Sequence, residues 1–140
     1  MIQKFVQRVK NIFQTEEQIP LETPKKTNAR FILMYQDLHI GTLELEEGIW
    51  LFSYAEMFRQ QKLEKKIKPI VNFPDVTCVY KSAELWPFFA TRIPGLSQPQ
   101  VQAIVKREHI DMHNTVALLQ RFGRETITNP FLLTHTLAVA

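Results

Sequence analysis

FILMYQDLHIGTLELEEGIWLFSY, from Phe31 to Tyr54, is the stretch that decides the fold. Phe31 to Tyr35 is an apolar, strand-like run that stops at a polar turn, Gln36 and Asp37. Ile40 to Leu45 contains Gly41 and then alternates, with Leu43 and Leu45 on one face and Thr42 and Glu44 on the other. Glu46-Glu47-Gly48 reads as a second turn, and Ile49 to Tyr54 as a third strand rich in aromatic and β-branched residues. Three strands joined by such short turns predict an antiparallel meander.

Downstream the pattern becomes helical. Ser53 is placed to cap a helix from Ala55 to about Lys66, with Met57, Phe58 and Leu63 on its apolar face. Pro69 and Pro74 bracket Ile70 to Phe73, an extended segment that cannot be a central strand throughout. Val76 to Tyr80 is a strand candidate. Leu85 to Ile93 reads as a helix with Pro87 in its first turn and Pro94-Gly95 as its stop. Ser97-Gln98-Pro99-Gln100 has the form of a capping box, opening a helix that buries Val101, Ile104 and Val105 and ends near Glu108. Asp111 is expected to cap a further helix with Val116, Leu118, Leu119 and Phe122 inward and Gly123 as its stop, and Leu132 to Val139 to return as a strand. The fold class is α+β: a small antiparallel sheet, a meander that could curl towards a barrel, with short helices following.

Upstream, Thr15 to Arg30 is broken by Pro20 and Pro24 and is dominated by polar and charged residues, the composition of a linker. Before it, Ile2, Phe5, Val6, Val9, Ile12 and Phe13 fall on one helical face, while Lys4, Arg8 and Lys10 make the opposite face basic. Such a helix can dock on the domain, on a partner or at a membrane surface. The expected division is therefore an amphipathic helix over 1–14, a linker over 15–30 and one domain over 31–140.

A chain of 140 residues suits a single domain, and 45% hydrophobic against 22% charged residues is an ordinary globular balance. The lone Cys78 excludes an internal disulfide and any multi-cysteine zinc site, which suits a reducing cytoplasm. Cations interrupt every apolar stretch near the start, so no signal-peptide h-region is expected, and no apolar run reaches a membrane span. A net charge of +3 spread along the sequence gives no reason to expect direct nucleic-acid binding.

Catalytic chemistry is not indicated. Gly41, Gly48, Gly95 and Gly123 are too scattered for a phosphate-cradling loop. His109-Ile110-Asp111 looks like a kinase catalytic loop, yet Asn114 follows the aspartate too closely; Phe122-Gly123 has Arg121 where a magnesium-binding aspartate must stand. His109 and His113 share ligand spacing, but an N-capping Asp111 puts them on different elements and structural zinc takes four ligands, so no metal is expected. His39 and His135 read as isolated surface or turn residues, and Thr77, Cys78 and Ser82 have no histidine at a motif spacing. No cofactor is expected. The feature that asks for explanation is apolar: Leu85-Trp86-Pro87-Phe88-Phe89. Phe88 and Phe89 can be buried together at a helix start; Trp86, just outside the first turn, either caps the core or serves as an interface anchor.

The stretch from Phe31 to about Leu133 resembles the small N-terminal subdomain of HipA-type serine/threonine kinase toxins. The matching residues are the opening strand, Ile40-Gly41-Thr42-Leu43, the strand Trp50 to Tyr54, the run Pro87-Phe88-Phe89-Ala90-Thr91-Arg92-Ile93-Pro94-Gly95, and Ala117-Leu118-Leu119 with Phe122-Gly123-Arg124-Glu125. Pro69 to Pro74 keeps the prolines of a family motif without its serine, and the sequence ends at Ala140, where the family's kinase body would begin. The resemblance implies a stand-alone, HipS-like antitoxin of a three-gene system: a non-enzymatic, cytoplasmic inhibitor of a separate HipT-type kinase, beside a HipB-like DNA-binding protein. An accessory subunit that completes the kinase fold and joins that DNA-binding complex is the alternative, and a small enzyme a more distant one. The partner-binding surface is expected at Leu85, Trp86, Pro87 and Arg92.

Overall fold

A computed structural model describes residues 21–61 and 67–136. The amphipathic segment 1–14, the first part of the linker, Leu63 and the last residues of the expected C-terminal strand lie outside the described residues.

Five strands form one sheet: β1 (Ala29–Tyr35), β2 (Leu38–Glu46), β3 (Ile49–Tyr54), β4 (Tyr80–Ser82) and β5 (Leu132–Thr136), in the order β4-β3-β2-β1-β5. Every pairing is antiparallel, and the sheet stays open rather than curling into a barrel. The turn between β2 and β3 is Glu47-Gly48, both at positive φ (48° and 81°), the handed two-residue connection whose twist matches its flanking strands. Gln36, at φ 52°, makes the corresponding bend between β1 and β2.

The alternation along β2 is broken for a physical reason. Ile40 and Leu43 are both fully buried although three apart, which a regular strand with a period of two cannot arrange. The register shifts between Leu33 and Met34, which pair with Gly41 and His39 and leave Ile40 as the extra residue of a bulge. Gly41 then has to be glycine: a Cβ there would lie 2.7 Å from the ring of Phe52 and 2.7 Å from the carbonyl oxygen of Ser53.

The inward face of the sheet supplies Phe31, Leu33, Leu43, Leu45, Trp50 and Phe52, and Phe58, Phe73, Phe89, Val116 and Leu119 pack against them as one core. The outer face is mixed, with Arg30 and Glu44 opposite one another across β1 and β2 and Ile32 and Leu51 beside them. Among the described residues there are four short helices: α1 (Glu56–Gln61), α2 (Pro87–Ala90), α3 (Pro99–Arg107) and α4 (Thr115–Phe122). A second, smaller cluster of Leu96, Val101, Val105 and Leu118 joins α3 to α4.

The helix starts differ from the sequence expectations. Ser53 is a strand residue paired with Thr42, so α1 is not capped by it. Gln98, rather than Ser97, occupies the N-cap of α3 and makes no side-chain capping bond; Pro99 at the first helical position removes one of the N–H groups a cap would serve. Asn114 caps α4, its side-chain oxygen accepting from the Ala117 N–H at 3.1 Å. Asp111 instead accepts from the His113 N–H at 2.9 Å, closing a local turn before the helix. Gly123 ends α4 as expected. Ile70 to Phe73 is a turn rather than an extended run: the Phe73 N–H reaches back to the Ile70 carbonyl at 2.8 Å. Only Tyr80, of the Val76 to Tyr80 candidate, enters a strand.

The latter part of the expected linker is built into the domain. Glu22 bridges Asn114 in parallel, and Thr115 donates to the Glu22 carbonyl from both its N–H and its hydroxyl. Thr23 accepts from the indole N–H of fully buried Trp50 at 3.0 Å, satisfying a donor that would otherwise be stranded in the core.

Candidate partner-binding site

The chain leaves β4 at Ser82, whose hydroxyl accepts from the Glu84 N–H at 3.1 Å. Trp86 is then held at φ −62° and ψ 148°, the extended conformation that a following proline imposes. Pro87 begins α2 where its missing N–H costs nothing. One helical turn closes behind it, with the N–H groups of Phe89 and Ala90 both donating to the Trp86 carbonyl at 3.0 and 2.9 Å. The backbone of Leu85-Trp86-Pro87 is thus set before any partner arrives.

The side chains divide by depth. Phe89 is fully buried, whereas Phe88 is only half-buried, standing edge-on to both Phe89 and Phe131. Trp86 packs against the core, its ring meeting Phe73 edge-on at 5.0 Å, and keeps a minor part of its surface exposed. Leu85, also half-buried, lines a cleft of about 260 Å³ with Leu21, Thr23, Glu84, Ala90 and Thr115. Pro87 is exposed. Leu85 and Trp86 thus pack against the core with part of each side chain at the surface, beside the exposed Pro87.

Arg92 lies elsewhere. It is only 4% exposed and holds the C-terminal part of the domain together. One terminal nitrogen donates to the carbonyls of Gly123 and Arg124, at 3.1 and 3.2 Å. The other donates to the Asn129 side-chain oxygen and the Phe131 carbonyl, at 3.0 and 3.1 Å. Its Nε is buried without an acceptor, and burial pulls the guanidinium down to about 10, still a cation at neutral pH. A planar fork is required here because only a guanidinium reaches this many acceptors at once.

Two residues that sequence reasoning did not single out support Trp86. Phe73 carries Trp86 and stacks on Phe52 at 4.3 Å. The Tyr54 hydroxyl accepts from the Ile70 N–H at 2.9 Å and donates to the Phe73 carbonyl at 2.5 Å, pinning the turn that places Phe73. The bracketing prolines were the available signal for that turn; nothing local marked Tyr54 as its clamp. His109 follows the end of α3 at φ 56°, and His113 lies past the Asp111 turn, so the two do not share a helix face. Among the described residues no three metal-ligating side chains converge, and no helix is long and apolar enough to cross a membrane.

Comparison with known proteins agrees with this architecture. Among curated proteins none matches. A solved structure described as the N-terminal domain of HipA toxin aligns with a TM-score of 0.50 at 14% identity, covering 81% of this chain and 97% of that one, a likeness of fold. At the level of sequence, residues 32–128 match the family described as the HipA N-terminal domain. That span runs from β1 through α4 and takes in the meander, the bulge at Ile40 and Trp86; the chain belongs to the HipA N-terminal domain family.

Proposed function

We propose that this protein is a cytoplasmic antitoxin that binds and inhibits a separately encoded HipA-type serine/threonine kinase, acting by contact rather than by catalysis. Family membership supports the kind of partner, and Trp86, partly exposed and held by the backbone before Pro87, supports the mode. A kinase cleft must admit ATP, magnesium and a protein hydroxyl, so a rigid aromatic side chain at its mouth is an effective block. Little conformational entropy remains to be lost when a preset tryptophan inserts, and such an anchor contributes on the order of 2–4 kcal/mol, roughly 30- to 1000-fold in affinity. Leu85 and Pro87 flank the indole and form the rest of the contact. Arg92 serves this surface indirectly, by holding the end of α2 against the chain after α4.

The test is a phosphorylation assay with a HipA-type kinase as the partner. Wild-type protein is expected to suppress kinase autophosphorylation and to rescue growth of cells expressing the kinase, and Trp86→Ala to do neither while remaining folded. Kinase activity that is unchanged or raised by the wild-type protein would overturn inhibition and favour the accessory-subunit reading. Full neutralisation by folded Trp86→Ala would remove the indole from the mechanism.

A further inference from the structure

We infer that the cleft beside Leu85 receives a lysine or arginine side chain of the partner kinase, as a second contact next to Trp86. The inference rests on the function proposed above and names the chemistry that the same surface selects.

The lining decides the charge of the occupant. Leu21, Leu85 and Ala90 give the cleft apolar walls, and Thr23, Glu84 and Thr115 supply its polar side chains. Both hydroxyl hydrogens are already committed: Thr115 donates to the Glu22 carbonyl at 2.8 Å, and Thr23 to the Ala83 carbonyl at 3.4 Å. Thr23 also accepts from the Trp50 indole. What the two hydroxyls still offer is lone pairs. Glu84 is exposed, and among the described residues no cation lines the cleft or pairs with it. The start of α4 lies close by, but its first amide is taken by the Glu22 carbonyl and that of Ala117 by Asn114. The cleft thus presents side-chain acceptors and one negative charge, on a chain whose net charge is +3.

Size and position narrow the choice further. At about 260 Å³ the cleft falls below the range of cofactor and small-molecule sites and suits one long side chain. A lysine or arginine lays its aliphatic stem along Leu21, Leu85 and Ala90 and brings its charged head to Glu84. An anionic group would meet only acceptors and a like charge. A purely apolar side chain would desolvate those acceptors without pairing them. Leu85 joins the cleft to Trp86, so the partner that meets the indole is carried to the cleft as well.

The experiment measures binding of a HipA-type kinase to the full chain across a salt series. Glu84→Gln is expected to weaken binding about tenfold and to flatten its salt dependence, and Glu84→Lys to weaken it further. Glu84 is exposed, so both variants should melt close to the wild type. Replacing one lysine or arginine of the kinase by glutamate should restore binding to Glu84→Lys but not to Trp86→Ala. Unchanged affinity and salt slope in both Glu84 variants, with the wild type bound, would overturn this inference alone and leave the proposed function standing. So would a loss in Glu84→Lys that no single replacement on the kinase restores. A wild-type chain that binds no such kinase would overturn both readings.

Discussion

The ring of Trp86 stands edge-on to the ring of Phe73, centroids 5.0 Å apart and planes at 82°. This contact gives Trp86 two roles at once, a lid on the core from one edge and a partly exposed apolar surface from the other. Removing the indole loses an aromatic pair of about 1 kcal/mol in addition to the core-packed part of its apolar area, so Trp86→Ala is expected to cost about 2 kcal/mol and to melt about 8 °C lower while keeping its circular dichroism spectrum. Phe73→Ala empties a fully buried site between Phe52, Tyr80 and Phe89 and is expected to cost about 3–5 kcal/mol. Equal losses of stability in the two variants would show that Trp86 is core in the same sense as Phe73.

Arg92 is the position where charge and architecture are most tightly joined. Arg92→Met strips the donors from four oxygens at once and is expected to destabilise the domain by about 3 kcal/mol or more. Arg92→Lys keeps the charge but not the fork and is expected to recover only part of that loss. Urea titration of the two variants checks the order. Loss of the proposed kinase binding should follow the unfolded fraction; a stable Arg92→Met variant that fails to bind would instead place Arg92 at the interface.

Tyr54 should shape the alkaline limb of stability. Burial pushes its phenol from 10.0 up to about 12, so the native state holds this proton more tightly than the unfolded chain does. The stabilisation is present below pH 10 and is lost as pH rises from about 10 to 12. Arg92 works the other way: its proton is held less tightly in the native state, so its contribution improves with pH above about 10. Comparing Tyr54→Phe with wild type at matched pH cancels the arginine. The variant is expected to be about 1–3 kcal/mol less stable at neutral pH, from the unserved Ile70 and Phe73 groups. It should also decline less steeply through the alkaline window. Parallel melting curves across that window would refute the assignment.

The cap of α4 offers a clean pair of substitutions. Asn114→Ala removes the acceptor for Ala117 and is expected to lower stability by about 1 kcal/mol. Asp111→Ala frees only the N–H of exposed His113 and should cost less. Thermal melts of the two proteins measure the difference, and the reverse order would make Asp111 the cap.

Much of the fold was legible because its signals are local. The third strand has the bounds expected from Ile49 to Tyr54, and turn residues separate it from β2 where a tight hairpin requires them. The helices near Pro87, Pro99 and Val116 were also legible, since apolar spacing and proline placement act within one or two turns. Their caps were not, because Asp111 and Asn114 are both good N-cap residues and only the course of the backbone selects between them. Of the four residues expected at the binding surface, Leu85, Trp86 and Pro87 stand together through adjacency in sequence, whereas Arg92 is drawn inward by acceptors from another part of the chain.

Alternation, turn chemistry and the aromatic run beside Pro87 were enough for the sequence by itself to determine an antiparallel meander followed by short helices, with a tryptophan at a helix start. Only the tertiary structure decided which polar groups those elements would strand and what would serve them. The indole of Trp50 finds Thr23, and the turn at Phe73 finds Tyr54. The carbonyls after α4 find Arg92 more than thirty residues away. A buried donor or acceptor must be paired wherever the fold leaves it, and its partner is set by proximity in space, which no local pattern in the chain encodes.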